Sequence, residues 1–135
     1  MNAKNPASRK QERNSNGPNV NSMQAGVDII EVARIAKLVK NRKFLNKIFS
    51  KEEIDYCSKR KNCSEHYAVR FAAKEAIWKA VGDRKLSHKD ISVKNDGSGK
   101  PVVVLPKRLD KIRKKICISL SHTKNYAVAL AVLKI

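Results

Sequence analysis

Gly82 divides the chain into two regions of different hydrophobic period, and that division limits the fold more than any other feature. Upstream, apolar residues recur at helical spacing. Downstream, "DISVKNDGSGKPVVVL", "ICISLSHT" and "YAVALAVLKI" alternate or run apolar over strand-like lengths between turn residues. Glycine just past a helical run is a C-cap signal, because it adopts the left-handed conformation without a Cβ penalty. The helix it closes is predicted from about Ser64 to Val81. Two more helical runs precede it. "VARIAKLVKNRKFL" places Val32, Ile35, Leu38 and Val39 at helical spacing, with Arg34, Lys37, Lys40, Arg42 and Lys43 on the other face. Ser50 stands three residues before Glu53, a capping-box pattern that starts a second helix. "AGVDIIEV" reads as a short buried strand, "PKRLDKIRKK" as a short basic helix or turn, and Thr123–Asn125 as the turn joining the last two strands. Helices first and antiparallel strands second describe an α+β domain with its N-terminal helices packed on a small antiparallel sheet.

At 135 residues the chain holds one domain with a modest, mainly aliphatic core. Residues 1–22 are rich in Asn, Ser, Lys and Arg with almost nothing apolar. They read as a disordered leader or extension, leaving 23–135 as the single domain. No apolar run approaches the ~18–20 residues of a membrane span, so the expectation is a soluble cytoplasmic protein with no membrane partner. Cys57, Cys63 and Cys117 are odd in number and contain no CxxC pair, which argues for reduced thiols. Cys63 and His66 lie three apart, but no second pair completes a zinc site.

Thirty Lys+Arg against twelve Asp+Glu give +18, which calls for a polyanionic partner. The leader carries four cations and one anion, so the rest is still +15. An RNA-binding module is one reading of this charge. It has no aromatic stacking platform or nucleic-acid motif behind it, and no nucleic-acid partner is expected.

The helix containing "RFAAKEAIWKA", Arg70–Ala80, carries the most chemistry. At about 100° per residue, Tyr67, Phe71 and Trp78 fall within ~40° of one another and form a stripe expected in the core. Ala68, Ala72, Glu75 and Lys79 share a neighbouring face. By itself this is an i,i+4 Glu–Lys pair on a solvated helix, worth roughly 0.2–0.5 kcal/mol. Two other residues point further. Asp28 lies inside an apparently buried strand, where a carboxylate is costly unless it is paired or bound to a cation. His122 ends a strand in "SLSHTKNYA", between Ser121 and Thr123. Asp28 and Glu75 together could share a divalent cation, and hard oxygen ligands suit Mg²⁺ held partly by substrate phosphates. A structural Asp28 and a surface His122 are the plain alternatives.

"GVDIIEVARI", "FLNKIFSKEE", "RFAAKEAIWKA", "GSGKPVV" and "SLSHTKNYAVA", in this order between Gly26 and Leu133, resemble the 4′-phosphopantetheinyl transferases, in particular the holo-[acyl-carrier-protein] synthases. The resemblance implies that fold and a transferase. Its activity is transfer of phosphopantetheine from coenzyme A to a serine of apo acyl carrier protein, releasing adenosine 3′,5′-bisphosphate, in fatty acid biosynthesis. It implies Mg²⁺ bound by Asp28 and Glu75, and Lys79 at the phosphate under attack, these three forming the catalytic set. Coenzyme A would be contacted by Arg70, Lys79, Pro101, His122 and Thr123, with Lys59 and Arg60 as further phosphate contacts. Arg34, Lys37, Lys40 and Arg42 would meet the acidic carrier protein. A homotrimer with active sites shared between subunits is also implied. The base that takes the serine proton is either Glu75 or a metal-bound water. The sequence departs from the family at "AVGDRKLSHKD", which lacks a second glycine, and at Lys47, where Arg is usual. A lysine there makes a single-point rather than a bidentate contact.

Overall fold

The computed structural model describes residues 23–135, so the leader reading lies outside the described residues. In chain order the elements are β1 (Met23–Glu31), α1 (Val32–Leu38), α2 (Arg42–Ile48), α3 (Lys51–Ser58), α4 (Cys63–Val81), β2 (Ser92–Asn95), β3 (Pro101–Val104), α5 (Asp110–Arg113), β4 (Ile116–His122) and β5 (Tyr126–Lys134). Short 3₁₀ turns occupy His88–Asp90 and Lys107–Leu109. The strands form two antiparallel sheets rather than one: β1-β5-β4, and the hairpin β2-β3. This is an α+β fold in which α4 lies across β1 and β5.

The local signals act as read. Ser50 accepts from the Glu53 amide while Glu53 reaches back to the Ser50 amide, closing the capping box that starts α3. Gly82 sits at φ 70° and ends α4, its N–H donating to the Trp78 carbonyl. The single helix expected over Val32–Leu45 is instead two. Asn41 adopts an extended conformation and caps α2 through the amides of Lys43 and Phe44, offering those amides an alternative to continuing α1.

The contact face of α4 is made of small residues. Ala68, Ala72, Ala73, Ala76 and Ala80 are buried, and Ala127, Ala129 and Ala131 of β5 are buried with them. Gly26 of β1 completes this close packing, because a Cβ there would fall 2.0 Å from the Ala76 carbonyl oxygen. The alanines of "RFAAKEAIWKA" therefore bring a sheet close to the helix. Phe71 and Trp78 are only half-buried, unlike Tyr67, so the aromatic stripe flanks the core rather than forming it. β1 also departs from expectation. As an edge strand it exposes alternate residues, Val27 and Ile29 at 57% and 65%. Strand alternation then turns Asp28 inward with Gly26 and Ile30, towards α4.

An ion pair without solvent contact ties the helices to the hairpin. Lys74 Nζ lies 2.6 Å from Glu53 Oε1, with both side chains essentially inaccessible. Lys74 also donates to the carbonyls of Ile91 and of His88, the latter at 3.1 Å, and Glu53 accepts from the Val93 amide at 3.1 Å. Burial pushes the Lys74 ammonium below the usual lysine range, and the Glu53 carboxylate opposes that shift.

Candidate active site

Helix α4 carries two groups of functional side chains about two turns apart. Towards its C-terminal end, Lys79 Nζ donates to the Val27 carbonyl at 3.0 Å and stands 3.5 Å from Asp28 Oδ1. Glu75 does not pair with Lys79. Its Oε1 is 3.1 Å from His88 Nε2, without the alignment of a hydrogen bond. The i,i+4 pair offered by the helical wheel is thus replaced by two tertiary contacts. Burial raises the Asp28 carboxyl above its ordinary value, Lys79 counteracts this, the Glu75 charge adds to it, and Arg34 of α1 lowers it. Asp28 therefore feels both Glu75 and Arg34.

Two half-buried carboxylates, one of which makes ionising the other more costly, Glu75 acting on Asp28, fit a divalent cation. Asp28 and Glu75 offer hard oxygens, and no group of three or more metal-ligating side chains occurs among the described residues. Such a pair leaves most of the coordination shell to water and phosphate oxygens, the arrangement Mg²⁺ prefers.

One helical turn before Lys74, Arg70 opens onto a cleft of about 380 Å³, lined by Tyr56, His66, Arg70, Asn95, Pro101 and His122 among others. Arg70 is 4% exposed, and its Nε is buried without a hydrogen-bond partner. No ion pair to Arg70 forms among the described residues. The guanidinium groups of Arg60 and Arg70 lie 3.3 and 4.2 Å from the Tyr56 ring centroid. Such stacking recovers part of the cost of burying charge. The Tyr56 hydroxyl in turn accepts from Asn95 Nδ2 at 2.9 Å. His66, 6.1 Å from the His122 ring, is held below the usual histidine range by burial and by the charges of Arg70, His122 and Arg60. A cleft that buries an unsatisfied guanidinium and disfavours protonation of a nearby imidazole is suited to an anion.

Of the residues singled out from sequence, the fold brings Arg70, Pro101 and His122 into this cleft and Asp28, Glu75 and Lys79 into the carboxylate group. No residue lines both. Arg60 reaches the cleft edge through Tyr56, while Lys59 is an exposed cap of α3 and Thr123 is occupied in the β4–β5 turn, accepting from the amides of Asn125 and Tyr126. Arg34, Lys37, Lys40 and Arg42 are all exposed on α1, α2 and the turn between them, and none forms an ion pair among the described residues. Tyr56, His66 and Asn95 were not legible in the sequence. They are single residues from α3, α4 and β2 whose convergence is tertiary.

Comparison with known proteins shows the family of the chain. The profile of the 4′-phosphopantetheinyl transferase superfamily matches residues 24–131. Holo-[acyl-carrier-protein] synthase of Fusobacterium nucleatum is 44% identical over 116 residues, covering 80% of this chain and 95% of that protein. The synthase of Thermodesulfovibrio yellowstonii is 47% identical over 111 residues, with the same coverages of 80% and 95%. Among solved structures, the Helicobacter pylori synthase in complex with coenzyme A superposes with a TM-score of 0.72 at 32% identity, covering 82% of this chain and 99% of that one. The Bacillus anthracis synthase in complex with CoA (3′,5′-ADP) gives 0.69 at 37% identity, covering 82% and 95%. The chain belongs to the 4′-phosphopantetheinyl transferase superfamily and, within it, to the holo-[acyl-carrier-protein] synthases.

Proposed function

We propose that this chain, as one domain over residues 23–135, moves the 4′-phosphopantetheine arm of coenzyme A onto a serine of an apo acyl carrier protein. The reaction is Mg²⁺-dependent and serves fatty acid biosynthesis in the cytoplasm. The observation that carries the reading is Arg70, a buried guanidinium with an unpartnered nitrogen in a cleft shared with Pro101 and His122. It needs an anion, and the same helix carries Glu75 and Lys79 towards Asp28. The relatives solved with coenzyme A support the identity of that anion.

In this mechanism the serine oxygen attacks the phosphorus that bears the pantetheine arm. The bond to the bridging pyrophosphate oxygen breaks, and adenosine 3′,5′-bisphosphate leaves with the electron pair. Asp28 and Glu75 would hold Mg²⁺, which neutralises charge on the pyrophosphate. Lys79 shifts from Asp28 to the phosphate under attack, where its charge stabilises the developing negative oxygens. Arg70, His122 and Pro101 hold the nucleotide end, with Lys59, Arg60 and Thr123 at its margin. The serine proton passes to a base at the carboxylate end. Arg34 faces this group and, with Lys37, Lys40 and Arg42, meets the acidic carrier protein, a charge complementarity that speeds encounter and weakens with salt.

The two half-sites share no residue, and β1 leaves Val27 and Ile29 exposed beside Leu130 of β5, with Tyr126 exposed at the strand's start. An apolar sheet face of this kind calls for a partner. We assign it to a homotrimer in which one subunit's carboxylates meet another's cleft.

The test is incubation with coenzyme A, Mg²⁺ and apo carrier protein, followed by intact mass. Transfer by wild type, with loss in Asp28→Ala and Glu75→Ala variants that keep their fold, is expected. Absence of transfer by the wild-type chain, or Asp28→Ala matching it, refutes the reading. Ile29→Glu should break the oligomer measured by light scattering.

A further inference from the structure

Glu65 presents a problem of charge. The cleft is built for an anion, yet a carboxylate stands beside it in the first turn of α4, only 19% exposed. An acidic residue in a first turn is favourable by roughly 0.3–1 kcal/mol through the helix dipole, which gives Glu65 a reason to be in that turn but not to reach β4. Its Oε1 lies 3.0 Å from His122 Nδ1, across 57 residues of sequence. A carboxylate can only accept, so Nδ1 carries the hydrogen and Nε2 is left for the cleft. His122 lines the cleft and Glu65 does not, so the imidazole stands between the carboxylate and whatever binds there.

We infer that Glu65 is a positioning residue: it fixes the His122 ring so that Nε2 meets a coenzyme A phosphate, while the ring screens its own charge from that phosphate. The inference rests on the coenzyme A reading above. With Nδ1 committed to Glu65, Nε2 can donate to phosphate only from an imidazolium, and the Glu65 charge compensates that cation. Without Glu65 the ring is free to turn towards His66, whose ring is 6.1 Å away.

This arrangement has a signature that a merely structural glutamate lacks. Glu65→Gln keeps shape and an acceptor oxygen but removes the charge. In the wild-type background it should weaken coenzyme A binding on the order of tenfold, as loss of an outer hydrogen-bond partner does. His122→Ala should weaken binding further, because it uncovers a carboxylate beside the phosphate. In that background the sign reverses: His122→Ala/Glu65→Gln should bind coenzyme A more tightly than His122→Ala alone. The four proteins are compared by calorimetric titration with coenzyme A, with melting temperature recorded for each. If Glu65→Gln costs the same factor with and without His122, or leaves the His122→Ala variant unimproved, the inference is overturned. Wild-type protein that binds no coenzyme A overturns the parent reading instead.

Discussion

Replacing Lys74 by methionine should be among the most damaging single changes to this fold, and the damage should be repairable at one other position. Methionine nearly conserves volume, so little of the loss comes from packing. The loss comes from Glu53, whose carboxylate is essentially inaccessible and would retain only the Ser50 and Val93 amides. The Ile91 carbonyl loses its Lys74 donor as well, while the His88 carbonyl keeps the Ile91 amide. Leaving one member of a buried pair unmatched costs about 3–5 kcal/mol, a large share of the ~5–15 kcal/mol by which domains are stable. With a urea slope of roughly 1–3 kcal/mol per molar, the midpoint should fall by about 2 M. Glu53→Gln in the Lys74→Met background removes the stranded charge and leaves a neutral side chain whose oxygen still accepts from one of the Ser50 and Val93 amides. The double variant should therefore recover at least about 2 kcal/mol of the loss, a coupling typical of directly contacting residues. Urea unfolding of wild type, both singles and the double closes the cycle. A Lys74→Met loss under about 1 kcal/mol, or a Glu53→Gln cost that simply adds to it, would refute the claim that a buried charge is being stranded.

The other expectations concern the same helix and its neighbours. Arg70→Met should leave thermal stability nearly unchanged, since removing a buried unpartnered guanidinium offsets the lost stacking on Tyr56, while the rise in melting temperature on adding coenzyme A disappears. Gly26→Ala should cost about 3 kcal/mol or more in chemical unfolding, because its Cβ would meet the Ala76 carbonyl and the Lys79 Cβ and push β1 away from α4. Burial holds the Cys57 thiol up at about 12, against 9.0 in the unfolded chain. Above pH 9 the unfolded chain releases a proton that the native one keeps, so stability falls with pH at about 1.4 kcal/mol per unit from this group. Cys57→Ala should make the alkaline decline shallower, as read by urea midpoints across pH 8–10.5, and an unchanged slope would count against it.

Features governed by a few adjacent residues were legible without coordinates. The Gly82 cap and the Ser50–Glu53 box depend on local backbone geometry, and both stand as read. The break at Asn41 was equally local and was passed over, because the apolar spacing continues across it. The alanines of α4 mark a close approach in the sequence, and the structure shows that what approaches is β1 and β5. Smallness in a sequence records that something comes close, without saying what. Nothing in the sequence distinguishes Lys74 from the other lysines, and its contacts with Glu53, His88 and Ile91 make it the centre of a buried network.

The sequence by itself determined the element types, the order of the motifs and the family, because periodicity, caps and motif spacing are properties of short stretches. It also identified Asp28, Glu75, Lys79, Arg70 and His122 as the residues to watch. Tertiary structure decided how they are grouped. It placed Lys79 on Asp28 rather than on Glu75, Glu75 against His88, and Glu65 behind His122. It also separated the carboxylates from the cleft on a single helix. These partners come from strands and turns far away in the chain, and which of them meet is set by how closely α4 packs on the sheet, a distance fixed by Gly26 and the facing alanines.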